Sequence, residues 1–176
     1  MSGKLEESIE LPENITASAE GSVLTIKGPK GEVTRDFFSE NVAVSVVSGK
    51  INISAPNDTK RERKMAGSFK AHVQNILKGV VDGHHSKMKV LSGHFPITVS
   101  VNGREFSVRN YFGEKTARKF TLPEGVSVKV KENEIEIESC DKELVGSVTS
   151  SIEKLTRRTT FDRRVFQDGI VLLKEK

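Results

Sequence analysis

The chain's 176 residues are enough for one large domain or two small ones. Its 35% hydrophobic and 30% charged residues make it rather polar, but strand-like alternation excludes wholesale disorder, and a formal charge of +4 permits a nucleic-acid partner without establishing one. A single cysteine excludes an internal disulfide, no segment reads as a signal peptide, and no apolar run approaches the ~20 residues that span a bilayer, so the expectation is an intracellular, soluble protein without a membrane segment.

Leu11-Pro12-Glu13 opens a strand, tight turn and second strand through ITASAEGSVLTIKGPKGE. Two further strands follow at residues 42–47 and 51–53, divided by Ser48-Gly49-Lys50. Pro56 ends that run, and Asn57 or Asp58 is placed to cap a helix over residues 59–78. Met65, Phe69, Val73, Ile76 and Val80 recur at three- and four-residue steps and predict its buried stripe, with Gly79 and Gly83 as terminators. Strands are then expected at 89–91 and 94–101, a hairpin turn at Asn102-Gly103, a return strand at 104–109 and another at 115–121. Leu122-Pro123-Glu124 precedes Val126, Val128 and Val130, which alternate with polar residues, as do Ile135 and Ile137 after the turn at 131–133. A second helix starts near Asp141, its stripe formed by Val145, Val148, Ile152 and Leu155.

The two Leu-Pro-Glu tripeptides suggest an internal repeat in which, without gaps, Leu24 falls on Ile135, Ile26 on Ile137 and Gly28 on Ser139. The expected fold is α+β: two related small domains, residues 1–82 and 83–176, each an antiparallel or mixed β-sheet packed against an α-helix.

Catalytic and metal chemistry find little purchase in this sequence. His72, His84, His85 and His94 lack zinc-ligand spacing, and Cys140, at a strand–helix junction, has no base partner by spacing. Glu134, Glu136 and Glu138 alternate along one strand and read as a wet sheet face rather than an acid–base pair. Gly28-Pro29-Lys30-Gly31 departs from the G-x-x-x-x-G-K-[ST] phosphate loop, and its proline removes an amide donor; it reads as a structural turn whose Lys30 can also touch phosphate or a partner. No enzyme activity and no cofactor are expected.

The basic clusters carry more information. Lys60, Arg61, Arg63 and Lys64 begin a helix, where positive charge opposes the dipole, so a solvated face and an anion or partner contact both remain open. Lys115, Arg118 and Lys119 form a second group. Lys154, Arg157, Arg158, Arg163 and Arg164 are sharper: a helix end explains the first two, but not the continuation beside Phe161 and Phe166. Polyanion contact is the expectation there, with phosphate contacts positioning an RNA whose folded shape gives specificity.

Several motifs, in order, carry a resemblance: GPKG at 28–31, NILKGVVDG at 75–83, KMKV and HFPITV within 87–99, NYFGEK at 110–115, DKELVG at 141–146 and DRRVFQDGI at 162–170. Over nearly its whole length the chain resembles the large-subunit ribosomal protein L6 family, in its archaeal and eukaryotic branch, and looks archaeal in its compact length. The resemblance implies a structural rRNA-binding protein of the cytoplasmic large ribosomal subunit, near the stalk base and the sarcin–ricin loop, supporting the region where translation factors dock. It implies large-subunit rRNA, neighbouring ribosomal proteins at the stalk base and a transient contact with translational GTPases as partners. On this chain the leading rRNA contacts become Lys142, Lys154, Arg157, Arg158, Arg163 and Arg164, with Gln167, Asp168 and Gly169 shaping the adjoining loop. Lys30, Lys60, Arg61, Arg63, Lys64, Lys115, Arg118 and Lys119 are expected as secondary contacts with RNA or a partner. Ser139, Ser147 and Thr149 depart from the family pattern, so the strand–helix junction is where this chain differs.

Overall fold

The computed structural model describes residues 4–47, 49–162 and 164–173. The chain divides into two compact units, Met1–Gly83 and His84–Lys176.

The first unit contains β1 (Leu5–Glu10), a meander of β2 (Thr16–Glu20), β3 (Val23–Gly28) and β4 (Gly31–Asp36), a hairpin of β5 (Ala43–Val47) and β6 (Lys50–Ala55), and helix α1 (Lys60–Val81). Two antiparallel three-stranded sheets result, ordered β1-β6-β5 and β2-β3-β4. Period-two alternation buries Leu24 and Ile26 of β3 and Ile51 and Ile53 of β6, and α1 covers both strands. The buried stripe of α1 is Ala66, Phe69, Val73, Ile76, Leu77 and Val80. Met65 does not join it and stays exposed, because Glu62 takes the first position of the stripe.

That glutamate is buried for a local reason. Thr59, not Asn57 or Asp58, is the N-cap, and it forms a capping box with Glu62. The Thr59 amide donates to Glu62 Oε2 at 3.1 Å, its hydroxyl donates to the same oxygen at 2.7 Å, and the Glu62 amide returns to Thr59 Oγ1 at 3.4 Å. Thr59→Ala removes two of these bonds and is expected to cost about 1–2 kcal/mol, lowering the thermal midpoint of this unit by roughly 4–8 °C per kcal/mol. An unchanged melt would show that the box contributes nothing. At the other end Gly79 lies inside the helix, and Gly83, at φ +81°, donates its amide to Gly79 O at 3.0 Å and ends it.

The second unit holds β7 (His84–Leu91), a meander of β8 (Thr98–Asn102), β9 (Glu105–Arg109) and β10 (Arg118–Thr121), a hairpin of β11 (Val126–Lys131) and β12 (Glu134–Ser139), helix α2 (Lys142–Leu155) and β13 (Gly169–Leu173). Its sheets are β11-β12-β7-β13 and β10-β9-β8, again antiparallel throughout. Met88, Phe106, Val108, Ile135, Ile137, Val145, Val148, Ile152 and Ile170 form the core. Thr149, one of the departures from the family pattern, is buried on α2 and donates its hydroxyl to Val145 O at 2.7 Å.

The two units are similar β-sheet and α-helix domains, but the repeat runs in a different phase from the one the Leu-Pro-Glu tripeptides suggest. Each unit reads strand, three-strand meander, hairpin, helix: β1, β2–β4, β5–β6, α1 and then β7, β8–β10, β11–β12, α2, with β13 added beside β7. Leu24 and Ile26 therefore correspond to Phe106 and Val108, while Ile51 and Ile53 correspond to Ile135 and Ile137. Gly21 and Gly103 occupy the matching meander turn at φ +62° and +60°. On this phase GPKG at 28–31 corresponds to NYFG at 110–113.

Candidate nucleic-acid interface

In both units, the loop after the second meander strand seats on the C-terminal end of the helix, where carbonyl groups lack intrahelical partners. In the first unit the Lys30 amide donates to Val80 O at 3.0 Å, and Gly28 lies directly against Val80. GPKG is thus the contact between meander and helix end, and the Lys30 side chain points out exposed. In the second unit the Tyr111 hydroxyl donates to Thr156 O and Arg118 Nη1 donates to Leu155 O. A guanidinium at the negative end of α2 is electrostatically favoured. Burial pushes the Tyr111 hydroxyl pKa up, against the opposing pull of Arg118 and Arg158.

Around this contact the second unit builds a basic and aromatic corner. Glu114 holds Arg118 in a fork, Oε2 to Nε at 2.8 Å and Oε1 to Nη2 at 2.7 Å, and its Oε1 also accepts from Arg158 Nη2. The hydrogen bond from Arg118 holds the Glu114 carboxyl below its usual range against the effect of desolvation, with Arg158 adding to it. The Arg158 guanidinium lies 5.1 Å from the Phe161 ring centre and 5.5 Å from that of Phe112; Arg118 lies 4.6 Å from that of Tyr111. Phe112 and Phe161 stack at 5.3 Å, and Phe166 joins them. Asn110 and Phe112 hold left-handed backbone, at φ +58° and +52°, which turns the aromatic pair into this cluster.

A second tie fixes the strand leading out of the corner. Asp168 is buried and accepts from the Gly93 amide at 2.7 Å and the His94 amide at 3.0 Å, with His94 Nδ1 at 3.2 Å. This carboxylate holds residues 92–97 as a loop, so the strand expected from residue 94 begins only at Thr98.

The expected contact residues fall into distinct groups. Lys154, Arg157 and Arg164 are exposed at the corner, and among the described residues none has an acidic partner within ion-pair distance. Arg158 is half-buried and committed to Glu114 and the rings. Arg163 lies outside the described residues. Lys142 is exposed at the start of α2, and the helix's 14 residues place it about 21 Å from the corner. Of the secondary group, Lys115 is exposed beside Glu114, Arg118 braces the helix end, and Lys119 pairs with Glu105 at 2.9 Å. In the first unit Lys60, Arg61 and Lys64 are exposed at the start of α1, while Arg63 holds Asp58. Sequence reading missed Tyr111, Phe112, Glu114 and His94 as the parts that hold the corner. The signal lay in NYFG occupying the place of GPKG, visible only once the repeat is correctly phased.

Among the described residues no three His, Cys, Asp or Glu side chains converge on a metal site, and no helix is long and apolar enough to cross a membrane. Residues 11–83 and 95–169 match the model of the family described as ribosomal protein L6. The chain belongs to the ribosomal protein L6 family. It is 36% identical over 173 residues to the large ribosomal subunit protein uL6 of Saccharolobus solfataricus, covering 98% of this chain and 96% of that protein. It is 36% identical over 172 residues to that of Methanosarcina mazei, covering 98% of each, and 39% identical over 169 residues to that of Desulfurococcus amylolyticus, covering 94% of this chain and 92% of that protein. Proteins of the L6 family are structural and non-catalytic. The two matched segments contain both helix-end loops, both helices and Asp168.

Proposed function

We propose that this chain is a structural constituent of the large ribosomal subunit in the cytoplasm, where it binds rRNA near the stalk base and sarcin–ricin loop and supports the docking region for translation factors. Large-subunit rRNA is the main partner, with neighbouring ribosomal proteins at the stalk base and a transient contact with translational GTPases. The observation that carries the reading is the division of labour at the α2 corner. Glu114 neutralises Arg118 and Arg158 and the rings of Tyr111, Phe112 and Phe161 brace them, while Lys154, Arg157 and Arg164 stay exposed. Exposed cations without an acidic partner release counter-ions when they meet phosphate, which favours contact with RNA. Lys142 and Arg163 are assigned as further contacts on the same domain, and Lys30, Lys60, Arg61, Arg63, Lys64, Lys115 and Lys119 as secondary ones.

The test is binding to large-subunit rRNA across a salt series. Lys154→Glu with Arg157→Glu is expected to weaken binding about tenfold or more and to flatten the salt dependence by about one contact per residue. An unchanged slope would remove these two side chains from the interface. Absence of the chain from washed large subunits would overturn the ribosomal reading itself.

A further inference from the structure

Between the end of α2, the 110–113 loop, Phe161 and residues 166–169 lies an open cavity of about 430 Å³. That volume is in the range of small-ligand clefts, ~300–1,000 Å³. Phe112, Phe161 and Phe166 form its aromatic wall, Glu153 and Asp168 contribute carboxylates, and Arg158, paired with Glu114, lines it beside them. Arg157 lies at the rim, next to Lys154 on the helix.

The distances place the ring and guanidinium neighbours of Phe161 on the side of Phe112. Phe161 has Phe112 at 5.3 Å, Phe166 at 5.1 Å and the Arg158 guanidinium at 5.1 Å. Phe112 in turn lies 5.5 Å from Arg158 and 5.9 Å from Phe166. A group stacked on the far face of Phe161 would be much further from Phe112 than that. Neither Arg158 nor Phe166 therefore covers the face of Phe161 turned away from Phe112, and the residue keeps 38% of its surface exposed.

We infer that this cavity takes an unpaired nucleobase of RNA, stacked on Phe161, while the phosphates on either side lie on the cationic rim. The lining decides which part of a nucleotide goes where. Aromatic faces, carboxylates and a guanidinium already paired with Glu114 disfavour a phosphate and favour a neutral, flat ring; Arg157 and Lys154, exposed and without an acidic partner among the described residues, favour the phosphates. The inference deepens the RNA reading above and rests on it.

Its test compares the full chain's affinity for a six-residue oligoadenylate and for the same ribose-phosphate chain lacking all bases. The two carry equal charge, so rim contacts alone bind them equally. A preference of about tenfold or more for the oligoadenylate is expected, within the range of one base–aromatic stack. Phe161→Leu, which keeps an apolar side chain but no ring face, is expected to abolish most of that preference in a chain that still folds cooperatively, with its midpoint lowered by the lost ring contacts. Equal binding of the two oligomers, no binding of either, or a preference unchanged in Phe161→Leu would each overturn the inference. Salt-dependent binding of large-subunit rRNA, measured alongside, survives such a result and reports separately on the wider reading.

Discussion

Gly28→Ala is expected to destabilise the first unit by about 2–3 kcal/mol, the cost of overpacking a site that cannot relax. In a domain of this size that corresponds to a midpoint roughly 10–20 °C lower. A Cβ on Gly28 would lie 2.8 Å from Val80 Cβ, 2.8 Å from Val80 O and 2.9 Å from Val80 Cγ2. Val80 is fully buried in the last turn of α1, and its carbonyl already accepts from the Lys30 amide at 3.0 Å. Retreat of the carbonyl would break that bond, and retreat of the side chain would push α1 off β3. Gly21→Ala supplies the contrast: its Cβ would meet nothing within 4 Å, so only the left-handed backbone at φ +62° is penalised, at about 1 kcal/mol. Thermal unfolding followed by circular dichroism, with hydrogen exchange of β3 and α1 amides to localise the loss, distinguishes the two. A Gly28→Ala protein that melts with the parent would mean the helix end moves freely, and the close approach would lose its structural meaning.

The same contact shows where sequence reading stops. GPKG is legible as a turn from its glycines and proline, but the reason for Gly28 is a helix end 52 residues further along the chain. Strands that alternate cleanly, such as β11 and β12, declare themselves, and so do the stripes of α1 and α2. β1 does not, because one of its inward positions is Glu7, whose carboxylate is held by Lys70 of α1 at 2.9 Å. The charge is compensated only in three dimensions, so the alternation looks broken. β13 hides behind the basic segment, where Gly169 reads as loop rather than as the start of an edge strand beside β7. The phase of the repeat misleads for a related reason. Every hairpin in this fold pairs alternating apolar residues, and two of them follow the same tripeptide, so local similarity cannot tell a meander from the hairpin before a helix. At the corner, the cations are visible in sequence because charge is local. Their supports are not: Arg158 meets Glu114 across 44 residues and Asp168 meets Gly93 across 75.

Asp168→Asn tests the longest of those ties. Two backbone amides and the His94 ring converge on a side chain that is 3% exposed. Asparagine keeps the shape but removes the charge and one acceptor oxygen, leaving an amide facing an amide. Hydrogen bonds to charged groups contribute about 1.5–3 kcal/mol each, and an unpaired buried donor costs about as much, so a loss of roughly 2–4 kcal/mol near neutral pH is expected. Burial alone would raise the Asp168 pKa; the His94 and Gly93 amides, with the His94 ring, outweigh it and hold the carboxyl below the usual carboxylate range. A group depressed in the folded state stabilises fully above its unfolded pKa, ~3.9, and loses that contribution as pH falls through the folded value. The stability gap between parent and Asp168→Asn is therefore expected to be full at pH 6–7 and to shrink once the pH drops below about 4. Denaturant titrations at pH 7, 5 and 3 read it directly. A gap that is constant across this range would mean the carboxylate charge is not what holds the loop. The consequence reaches the interface: His94 packs on Phe166 at 5.0 Å, and Phe166 packs on Phe161 at 5.1 Å. Freeing residues 92–97 removes the floor of the aromatic wall, so under the RNA reading rRNA affinity should fall in Asp168→Asn although no phosphate-binding cation has changed.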